Sequence, residues 1–460
     1  MITITAVALA CLWGAWAEVG RAAPRNASPI ERWPEGTQVL PFENVEGVIL
    51  VRAALHGANG RDTTGLLALD TGAGYLTVGH DLARRLGIAD GIADRGSILS
   101  APRALPRIEL GAFQIDQVSP VLTVDMDVVT RVTDRPVLGL LGERLFSSFA
   151  VLIDYPGERT VLIPITEASQ VVDDSSAAPE SGADGRGPEA SSRNAASHAD
   201  AAAASRAALA GAVLPDAIPI PFRLAGDGKM LVRARVSNPR PRRYGDWLTL
   251  IVDTGATKCV LFEEALEERA PRASEWPALR GLAVPTLMGT SSTRLARIPS
   301  LQIAAAARSL EVEGVDVAVM RSQISGLLSR AVGEPVHGLL GYSFLKRYRV
   351  VIDFPHRVLW LDSLPVGWDD RPYEYSHVGL QLERKDGAAR VLAVAEGSPA
   401  ALAGVAPGDE IVSVNQRPAS ESDIASLTRS FEGPPGSRLL LAVRRGSVER
   451  TYSLVRRRLL

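Results

Sequence analysis

The chain has 460 residues, a length that corresponds to about three domains. Hydrophobic residues make up 46% and charged residues 22%, with 50 basic against 52 acidic side chains, which is typical of a globular protein and provides no global positive field for nucleic acid. Two cysteines exclude a disulfide framework and a zinc site of paired cysteines. We therefore expect a multidomain protein with no nucleic-acid partner.

The N-terminal segment is apolar. Residues 2–17 carry no charge and end in Ala15-Trp16-Ala17, a pattern that suits signal peptidase. The run is shorter than the roughly 20 apolar residues that a membrane-spanning helix needs. We predict a signal peptide at 1–17, no stable transmembrane span, and an exported protein that is periplasmic or extracellular. Because no Lys or Arg precedes the apolar run, a weak membrane anchor is the alternative.

A segment rich in small residues divides the chain. Residues 167–212 contain 16 Ala and 8 Ser. Such a composition buries too little apolar surface to offset the entropy lost on ordering. We predict a disordered, flexible linker, with transient helix in its Ala-rich part at 199–210. The linker separates two longer segments, 36–166 and 213–365.

These two segments repeat each other. Asp-Thr-Gly-Ala occurs at 70–73 and again at 253–256, and Gly-Leu-Leu-Gly occurs at 139–142 and again at 338–341. A third block recurs in the same order: Val151, Ile153, Asp154 and Pro156 match Val350, Ile352, Asp353 and Pro355. Because the order of the blocks is kept, we predict two copies of one lobe.

Each lobe contains short apolar runs bounded by Gly, Pro or Asn, a pattern typical of a compact all-β sandwich or barrel. In the first lobe the predicted strands are 48–55, 66–70, 75–78, 121–125 and 149–154. One short helix per lobe is expected, after Asp81 as its N-cap and around Glu263. Cys259 is interpreted as a small buried thiol.

The Asp-Thr-Gly-Ala loops carry the chemistry. In each loop an apolar strand ends in Asp, and the Gly permits a tight turn whose N–H groups hydrogen-bond the carboxylate, while the Thr hydroxyl locks the loop. Two carboxylates within about 3 Å of each other cannot both ionise, so the pair shares a proton. One member is then a base that activates water, and the other is an acid that polarises a carbonyl.

Both lobes resemble retropepsin-like aspartic proteases of the bacterial branch, because each Asp-Thr-Gly-Ala is followed by Leu-Leu-Gly, at 140–142 and 339–341. The resemblance implies a mainly β fold with two acid-protease β-barrel lobes, and peptide-bond hydrolysis without metal or cofactor. It implies catalytic roles for Asp70 and Asp253. The residues implied to support the active-site loops are Thr71, Gly72, Ala73, Thr254, Gly255 and Ala256. Flap loops over the substrate are expected within 88–104 and 284–297.

The C-terminal segment, 372–460, resembles a bacterial PDZ domain, a β-rich α+β fold. The resemblance rests on SHVGLQL, on Gly-Ser-Pro-Ala with Ser398 as a helix cap, and on AGVAPGDEIVSVN at 403–415. It implies capture of an extended peptide C-terminus by strand addition. The residues implied to bind that peptide are Val378, Gly379 and Leu380. The alternative is a PDZ domain that packs on the lobes as a structural cap. His377 is interpreted as a surface histidine.

Two further alternatives concern function and assembly. The leading hypothesis is an aspartic endopeptidase that acts on protein or peptide substrates with PDZ-assisted substrate or partner binding. The competing hypothesis is a catalytically inert peptide-binding scaffold that uses the same groove and PDZ domain. Both Asp-Thr-Gly motifs are intact, which favours the enzyme. We expect one dyad per chain, made of Asp70 and Asp253; the rival assembly pairs like lobes from two chains.

Overall fold

The structure of the chain is a computed structural model. It describes residues 33–90, 97–165, 188–209, 211–239, 243–287, 289–306, 309–321, 323–365, 367–369 and 371–460. The predicted signal peptide and the part of the predicted linker before residue 188 lie outside these described residues.

Lobe 1 is built mainly from strands, as predicted. Its elements are β1 (Gln38–Val45), β2 (Val48–His56), β3 (Asp62–Leu69), β4 (Thr77–Gly79), α1 (His80–Arg85), β5 (Leu99–Ser100), β6 (Leu105–Leu110), β7 (Phe113–Val118), β8 (Leu122–Val124), α2 (Asp127–Thr133), β9 (Val137–Leu141), β10 (Phe149–Asp154) and β11 (Arg159–Pro164). Gly79, not Asp81, is the N-cap of α1, because the helix begins directly after β4. Asp81 instead lies in the first helical turn, where a carboxylate still stabilises the helix dipole.

Lobe 2 repeats this order after one long helix. The elements are α3 (Pro188–Ala208), β12 (Ile218–Pro221), β13 (Arg223–Ala225), β14 (Lys229–Val236), β15 (Leu248–Val252), β16 (Cys259–Phe262), α4 (Glu263–Arg269), β17 (Ala278–Thr286), β18 (Gly289–Ile303), β19 (Leu310–Met320), α5 (Ile324–Val332), β20 (Gly338–Leu340), α6 (Tyr342–Leu345), β21 (Tyr348–Asp353) and β22 (Val358–Ser363). Cys259 is a buried free thiol, as interpreted from the sequence.

The helix α3 corrects the expectation of a flexible linker for the part of 167–212 that the structure describes. The hydroxyl of Ser205 is buried, donates to Oδ2 of Asp353 at 2.6 Å and accepts from Nε1 of Trp360 at 2.8 Å. Leu209 is fully buried, and the guanidinium of Arg206 lies 4.4 Å from the Trp360 ring centroid. These contacts with lobe 2 offset the entropy of ordering, and composition alone does not reveal them.

The two lobes are joined by a continuous sheet. Strand β10 of lobe 1 pairs antiparallel with β21 of lobe 2, with Val151 opposite Ile352. Among the described residues this pairing joins 14 strands, of which the main path runs β12-β22-β21-β10-β11-β1-β2-β3-β9-β4-β8-β5. The recurring segments of the sequence are therefore neighbours across the lobe boundary, and one hydrophobic core cluster contains residues of both lobes.

Both lobes support their Asp-Thr-Gly-Ala loop in the same way. In lobe 1, β3 pairs parallel with β9, which pairs antiparallel with β4. In lobe 2, β15 pairs parallel with β20, which pairs antiparallel with β16. Each loop connects the two outer strands of such a triplet, and the Leu-Leu-Gly strand lies between them. The two motifs of the repeat are thus adjacent in space in each lobe.

The C-terminal domain packs on both lobes. Its elements are β23 (Ser376–His377), β24 (Leu380–Lys385), β25 (Ala388–Val394), α7 (Pro399–Leu402), β26 (Glu410–Val414), β27 (Arg417–Pro418), α8 (Ile424–Ser430), β28 (Arg438–Arg445), β29 (Val448–Val455) and β30 (Arg457–Arg458). Ser398 caps α7 by accepting the N–H of Ala401, as predicted. His377 is fully buried rather than on the surface; its Nδ1 accepts the N–H of Gly379, and burial lowers its pKa to about 3.

No helix within the described ranges is long and apolar enough to cross a membrane.

Candidate active site

The aspartates of the two loops have the same local geometry. In each loop, Oδ1 of the aspartate accepts the backbone N–H groups of the residues two and three positions further along. These distances are 2.8 and 3.1 Å for Asp70, and 2.9 and 3.1 Å for Asp253. Both side chains are fully buried. The loops therefore fix each carboxyl group with backbone donors, and neither depends on a flexible side chain for its orientation.

The two loops meet across the lobe boundary. A Cβ atom added to Gly72 would lie 2.6 Å from the carboxyl group of Asp253, and one added to Gly255 would lie 2.6 Å from that of Asp70. Each carboxyl group therefore lies over the glycine of the opposite loop. Only a residue without a side chain permits this approach. The structure thus brings Asp70 and Asp253 of one chain together, which is the arrangement expected for an intramolecular dyad.

The threonines of the two loops bind each other reciprocally. Oγ1 of Thr71 donates to the carbonyl of Val252 at 3.0 Å and accepts the N–H of Thr254 at 3.1 Å. Oγ1 of Thr254 donates to the carbonyl of Leu69 at 2.9 Å and accepts the N–H of Thr71 at 3.1 Å. These four hydrogen bonds are buried and cross from one lobe to the other. They hold the two aspartates at a fixed separation.

The electrostatics of the pair favour a single shared proton. Burial raises the pKa of Asp70 to about 6, although the positive charge of Lys229 opposes that rise. Burial and the negative charge of Asp70 raise the pKa of Asp253 well above its usual range. The pair therefore keeps one proton at a pH above the usual titration range of an aspartate, so that one member is ionised while the other is protonated. A base and an acid side by side can activate water and polarise a carbonyl group.

A long hairpin extends from lobe 2 to lobe 1 beside the Asp70 loop. Strands β17 and β18 flank the turn of the second expected flap segment, 284–297, and residues 278–286 pair antiparallel with 289–296. Leu287, in the turn between them, is 4% exposed and packs in a cluster of lobe 1 residues that includes Ala73 and Met126. The hairpin thus crosses from one lobe to the other. In the first expected flap segment, 88–104, the described residues form only the short strand β5.

A buried charged cluster next to the Asp70 loop was not predicted. Lys229 is fully buried, and its Nζ lies 2.9 Å from Oδ1 of Asp227. Burial raises the pKa of the neighbouring Glu143 to about 8. A signal was present in the sequence: by the repeat, Lys229 takes the place of Val48, so a charged residue begins a strand that is apolar in lobe 1.

The residues that the PDZ resemblance assigns to peptide binding are not open to solvent. Val378 and Leu380 are fully buried, and Gly379 has a φ of +90° that favours glycine. Strand β24, which begins at Leu380, is at the edge of the domain's sheet, and α2 of lobe 1 packs against both β24 and α8. Lobe 1 therefore covers the edge at which strand addition is expected.

Two other recurring aspartates have structural roles, as turn residues. Asp154 accepts the N–H of Gly157 and binds Arg159, and Asp353 binds His356 and Ser205. Within the described part of the chain, no group of three or more His, Cys, Asp or Glu side chains is placed to hold a metal ion.

Comparisons with known proteins agree with the geometry. A family model described as aspartyl protease matches residues 245–344, and one described as PDZ domain matches residues 390–445. No curated protein matches the sequence. Residues 245–344 are thus similar to aspartyl proteases and residues 390–445 to PDZ domains, in a mainly β fold, and the predicted resemblance and fold class are confirmed.

Solved structures with similarity to the chain include three proteases or protease domains. The aspartic proteinase from Irpex lacteus is 13% identical with a TM-score of 0.38, covering 71% of this chain and 97% of that one. The photosystem II D1 C-terminal processing protease is 26% identical with a TM-score of 0.18, covering 18% of this chain and 24% of its own length. The PDZ domain of a carboxy-terminal protease from Vibrio cholerae, in complex with peptide, is 23% identical with a TM-score of 0.17. The match covers 18% of this chain and 94% of that domain.

Proposed function

We propose that the protein is an aspartic endopeptidase, in which Asp70 and Asp253 activate a water molecule for attack on a peptide bond. One observation carries the proposal: two fully buried carboxyl groups, each fixed by its own loop, lie over the glycine of the opposite loop. A pair of buried carboxyl groups costs folding free energy, because burial and mutual repulsion disfavour their ionised forms. A buried pair that shares one proton provides a base and an acid side by side, which is the chemical reason to keep the two carboxyl groups buried.

The two aspartates have different roles in the proposed reaction. Ionised Asp70 removes a proton from water as its oxygen attacks the carbonyl carbon, and protonated Asp253 donates a hydrogen bond and then its proton to the carbonyl oxygen. The tetrahedral gem-diol collapses when Asp70 passes the proton it took from water to the peptide nitrogen, Asp253 takes back a proton from a diol hydroxyl, and the C–N bond breaks. The products are a carboxylic acid and an amine, no covalent enzyme intermediate forms, and no metal or cofactor takes part. Thr71, Gly72, Ala73, Thr254, Gly255 and Ala256 hold the loops.

The PDZ domain is proposed to assist substrate or partner binding. Its resemblance implies capture of a peptide C-terminus at Val378, Gly379 and Leu380, with backbone N–H groups on the carboxylate. The alternative of a structural cap has support as well, since Leu279, Leu282 and Leu295 of lobe 2 belong to the hydrophobic cluster of the PDZ domain. Both roles are compatible with a domain that lies against the hairpin β17–β18. An exported location, periplasmic or extracellular, stays part of the proposal.

The first experiment is cleavage of unfolded casein by the purified protein. We expect peptide products from the wild-type chain and none from Asp253→Asn. Added hydroxylamine is expected to capture no acyl group, because no acyl-enzyme forms. If the wild-type protein binds casein but leaves it intact between about pH 3 and pH 9, the inert scaffold is the correct function. Dependence of cleavage on added zinc, or acyl transfer to hydroxylamine, would contradict the dyad mechanism.

A further inference from the structure

The two lobes differ in the charge that lies behind their aspartates. Lys229 is the first residue of β14, where the equivalent first residue of β2 is Val48. Both positions follow a hairpin turn, and both side chains are fully buried. In lobe 2 this position therefore carries a buried ammonium group, and in lobe 1 it carries an aliphatic side chain. Burying a lysine lowers the stability of the fold unless the ammonium group is paired with a negative charge, so the presence of Lys229 requires an explanation.

The hairpin that carries Lys229 contacts the loop of Asp70 in lobe 1. A Cβ atom added to Gly74, which directly follows the Asp-Thr-Gly-Ala motif, would lie 2.7 Å from the backbone and side chain of Asp227. The backbone N–H of Glu143 donates to the carbonyl of Ala73 at 2.9 Å. A Cβ atom added to Gly228 would overlap Oε1 of Glu143. The hairpin turn, Glu143 and the Asp70 loop are thus in direct contact.

The corresponding hairpin of lobe 1, β1–β2, contacts lobe 2 but carries no lysine at the equivalent position. The turn between β1 and β2 reaches lobe 2, where a Cβ atom added to Gly47 would overlap the ring of Tyr342. Tyr342 occupies the position of Glu143, and Val48 occupies that of Lys229. The dyad is therefore symmetric in its loops and asymmetric in the charges behind them.

We propose that Lys229 is a positioning residue that keeps the negative charge of the dyad on Asp70, so that Asp70 is the base and Asp253 the acid. This inference rests on the proposed function. The charged groups that face Lys229 and Asp70 are Asp227, Glu143, Arg144 and Asp253. Glu143 is neutral near pH 7, since burial raises its pKa to about 8. Lys229 is then shared between two anions, Asp227 and Asp70.

Two substitutions are expected to move the acidic limb of the activity profile in opposite directions. Lys229→Met removes the cation, so the pKa of Asp70 rises and the limb moves to higher pH by about one unit. Asp227→Asn removes the competing anion, so the full charge of Lys229 acts on Asp70 and the limb moves to lower pH. Lys229→Arg keeps the charge and is expected to leave the limb near its wild-type position. A purely structural role would not produce opposite shifts.

A second measurement keeps the test independent of turnover. The carboxyl ¹³C resonances of labelled aspartate report the ionisation of Asp70 directly, with Asp70→Asn to assign the signal. Lys346→Met is the control, because it removes a lysine that pairs with Asp369 at 2.6 Å. If Lys229→Met does not fold, Asp227→Asn still gives a signed result. Shifts that are absent, or in the same direction for both variants, overturn the role of Lys229. If wild-type protein does not cleave casein, the proposed function fails instead, and the resonances still show whether Lys229 acts on Asp70.

A separate set of contacts connects the PDZ domain to the hairpin β17–β18. The side chain of Gln381 in β24 accepts the N–H of Ala283 at 2.8 Å and donates to its carbonyl at 3.2 Å. The N–H of Glu396 donates to the carbonyl of Arg280 at 2.9 Å. The hairpin is therefore held by the PDZ domain near its base, while Leu287 in its turn is buried in lobe 1.

Lobe 1 contacts the same part of the PDZ domain. The carboxylate of Asp134, at the end of α2, binds Arg384 of β24 at 2.8 Å and accepts the N–H of Ile424 at 3.1 Å. Arg131 binds Glu383, and Arg135 binds Asp423, which is the N-cap of α8. Thus α2 interacts with α8 and with β24, the edge strand at which a peptide is expected to add.

From these contacts we infer that the PDZ domain is a latch. The PDZ domain holds the hairpin β17–β18 across the dyad while α2 of lobe 1 covers the peptide-binding edge of the PDZ domain. Loss of the contact between α2 and the PDZ domain releases the hairpin. The inference uses the proposed function only for its activity readout. An opened hairpin admits substrate more readily, because the binding-competent state is more populated.

The latch is tested with Arg384→Gln and Asp134→Asn, which break the contact from opposite sides. Hydrogen exchange at 278–303 is expected to speed up in both, and cleavage of a short peptide is expected to rise by about three- to tenfold in kcat/KM. Arg390→Gln is the matched control, because it removes a partly buried ion pair with Glu410 that lies within the PDZ domain. Unchanged exchange at the hairpin in folded variants overturns the latch. Faster exchange without any cleavage, in a wild-type protein that is also inactive, supports the latch and contradicts the proposed function.

Discussion

Lobe 1 and lobe 2 share the strand triplet and the loop that carry each aspartate, but they differ in what surrounds it. The hairpin β17–β18 of lobe 2 runs from 278 to 303, whereas the described part of 88–104 in lobe 1 contains only a two-residue strand. Lobe 2 also contributes the buried Lys229 where lobe 1 has Val48. The comparison shows that the geometry of the dyad requires two equal loops. The length of the hairpin beside each loop and the buried charge near each aspartate can differ between the lobes.

The largest expected effect tests whether both lobes are needed in one chain. Asp70→Asn and Asp253→Asn are each expected to lower kcat on casein by roughly 10⁴-fold, since each removes one half of the dyad. Asp154→Asn, a turn aspartate, is the control and is expected to retain activity. Substantial activity in both single variants, lost only in the double variant, would show that like lobes pair between two chains.

Thr71 and Thr254 test whether the two lobes contribute equally to the stability of the contact between the loops. Thr71→Val and Thr254→Val each delete one buried hydroxyl that makes two hydrogen bonds across the boundary. We expect each to lower the free energy of unfolding by about 2–4 kcal/mol, measured by urea denaturation. The double variant is expected to lose less than the sum, because the two side chains act on the same pair of loops. The serine variants keep the hydroxyl and are expected to restore most of the loss. Strongly unequal single effects would contradict the symmetric description.

The pH dependence tests the asymmetry of the dyad. Catalysis requires ionised Asp70, whose pKa is raised to about 6, so the rate is expected to fall about tenfold per unit as the pH drops below that value. At high pH the rate is expected to fall when Asp253 loses its proton. The profile of kcat/KM on a short peptide is therefore a bell, with its acidic limb near pH 6. A rate that rises continuously to about pH 10 would exclude the shared proton.

The smallest effect concerns the helix α3, which has no equivalent among the described residues of lobe 1. Ser205→Ala removes a donor to the buried carboxylate of Asp353, and it is expected to lower the free energy of unfolding by about 1–3 kcal/mol. Ser197→Ala, at an exposed position of the same helix, is the control with little effect. Differential scanning calorimetry of both variants measures the difference. Equal effects would mean that the helix does not depend on its contact with lobe 2.

Much of the fold was predictable because it depends on local patterns. The strand 149–154 has the predicted bounds, and the helix around Glu263 is present as α4. The repeat of Asp-Thr-Gly-Ala and Leu-Leu-Gly was sufficient to predict two lobes. The helix α3 was not predictable as an ordered element, because Ala and Ser residues carry little apolar surface, and the order comes from Trp360 and Asp353 in another part of the chain.

The sequence by itself determined the identity of the candidate dyad, since the turn that fixes each aspartate is made by its own next three residues. Only the tertiary structure decided that Asp70 and Asp253 face each other and that Lys229 lies behind one of them. It also decided that α2 covers the edge of the PDZ domain. Contacts of this kind join residues that are 100 to 300 positions apart in the chain, and no local spacing encodes them. The physical reason is that burial and electrostatic neighbourhood depend on how the lobes pack, whereas a backbone turn depends on the residues within it.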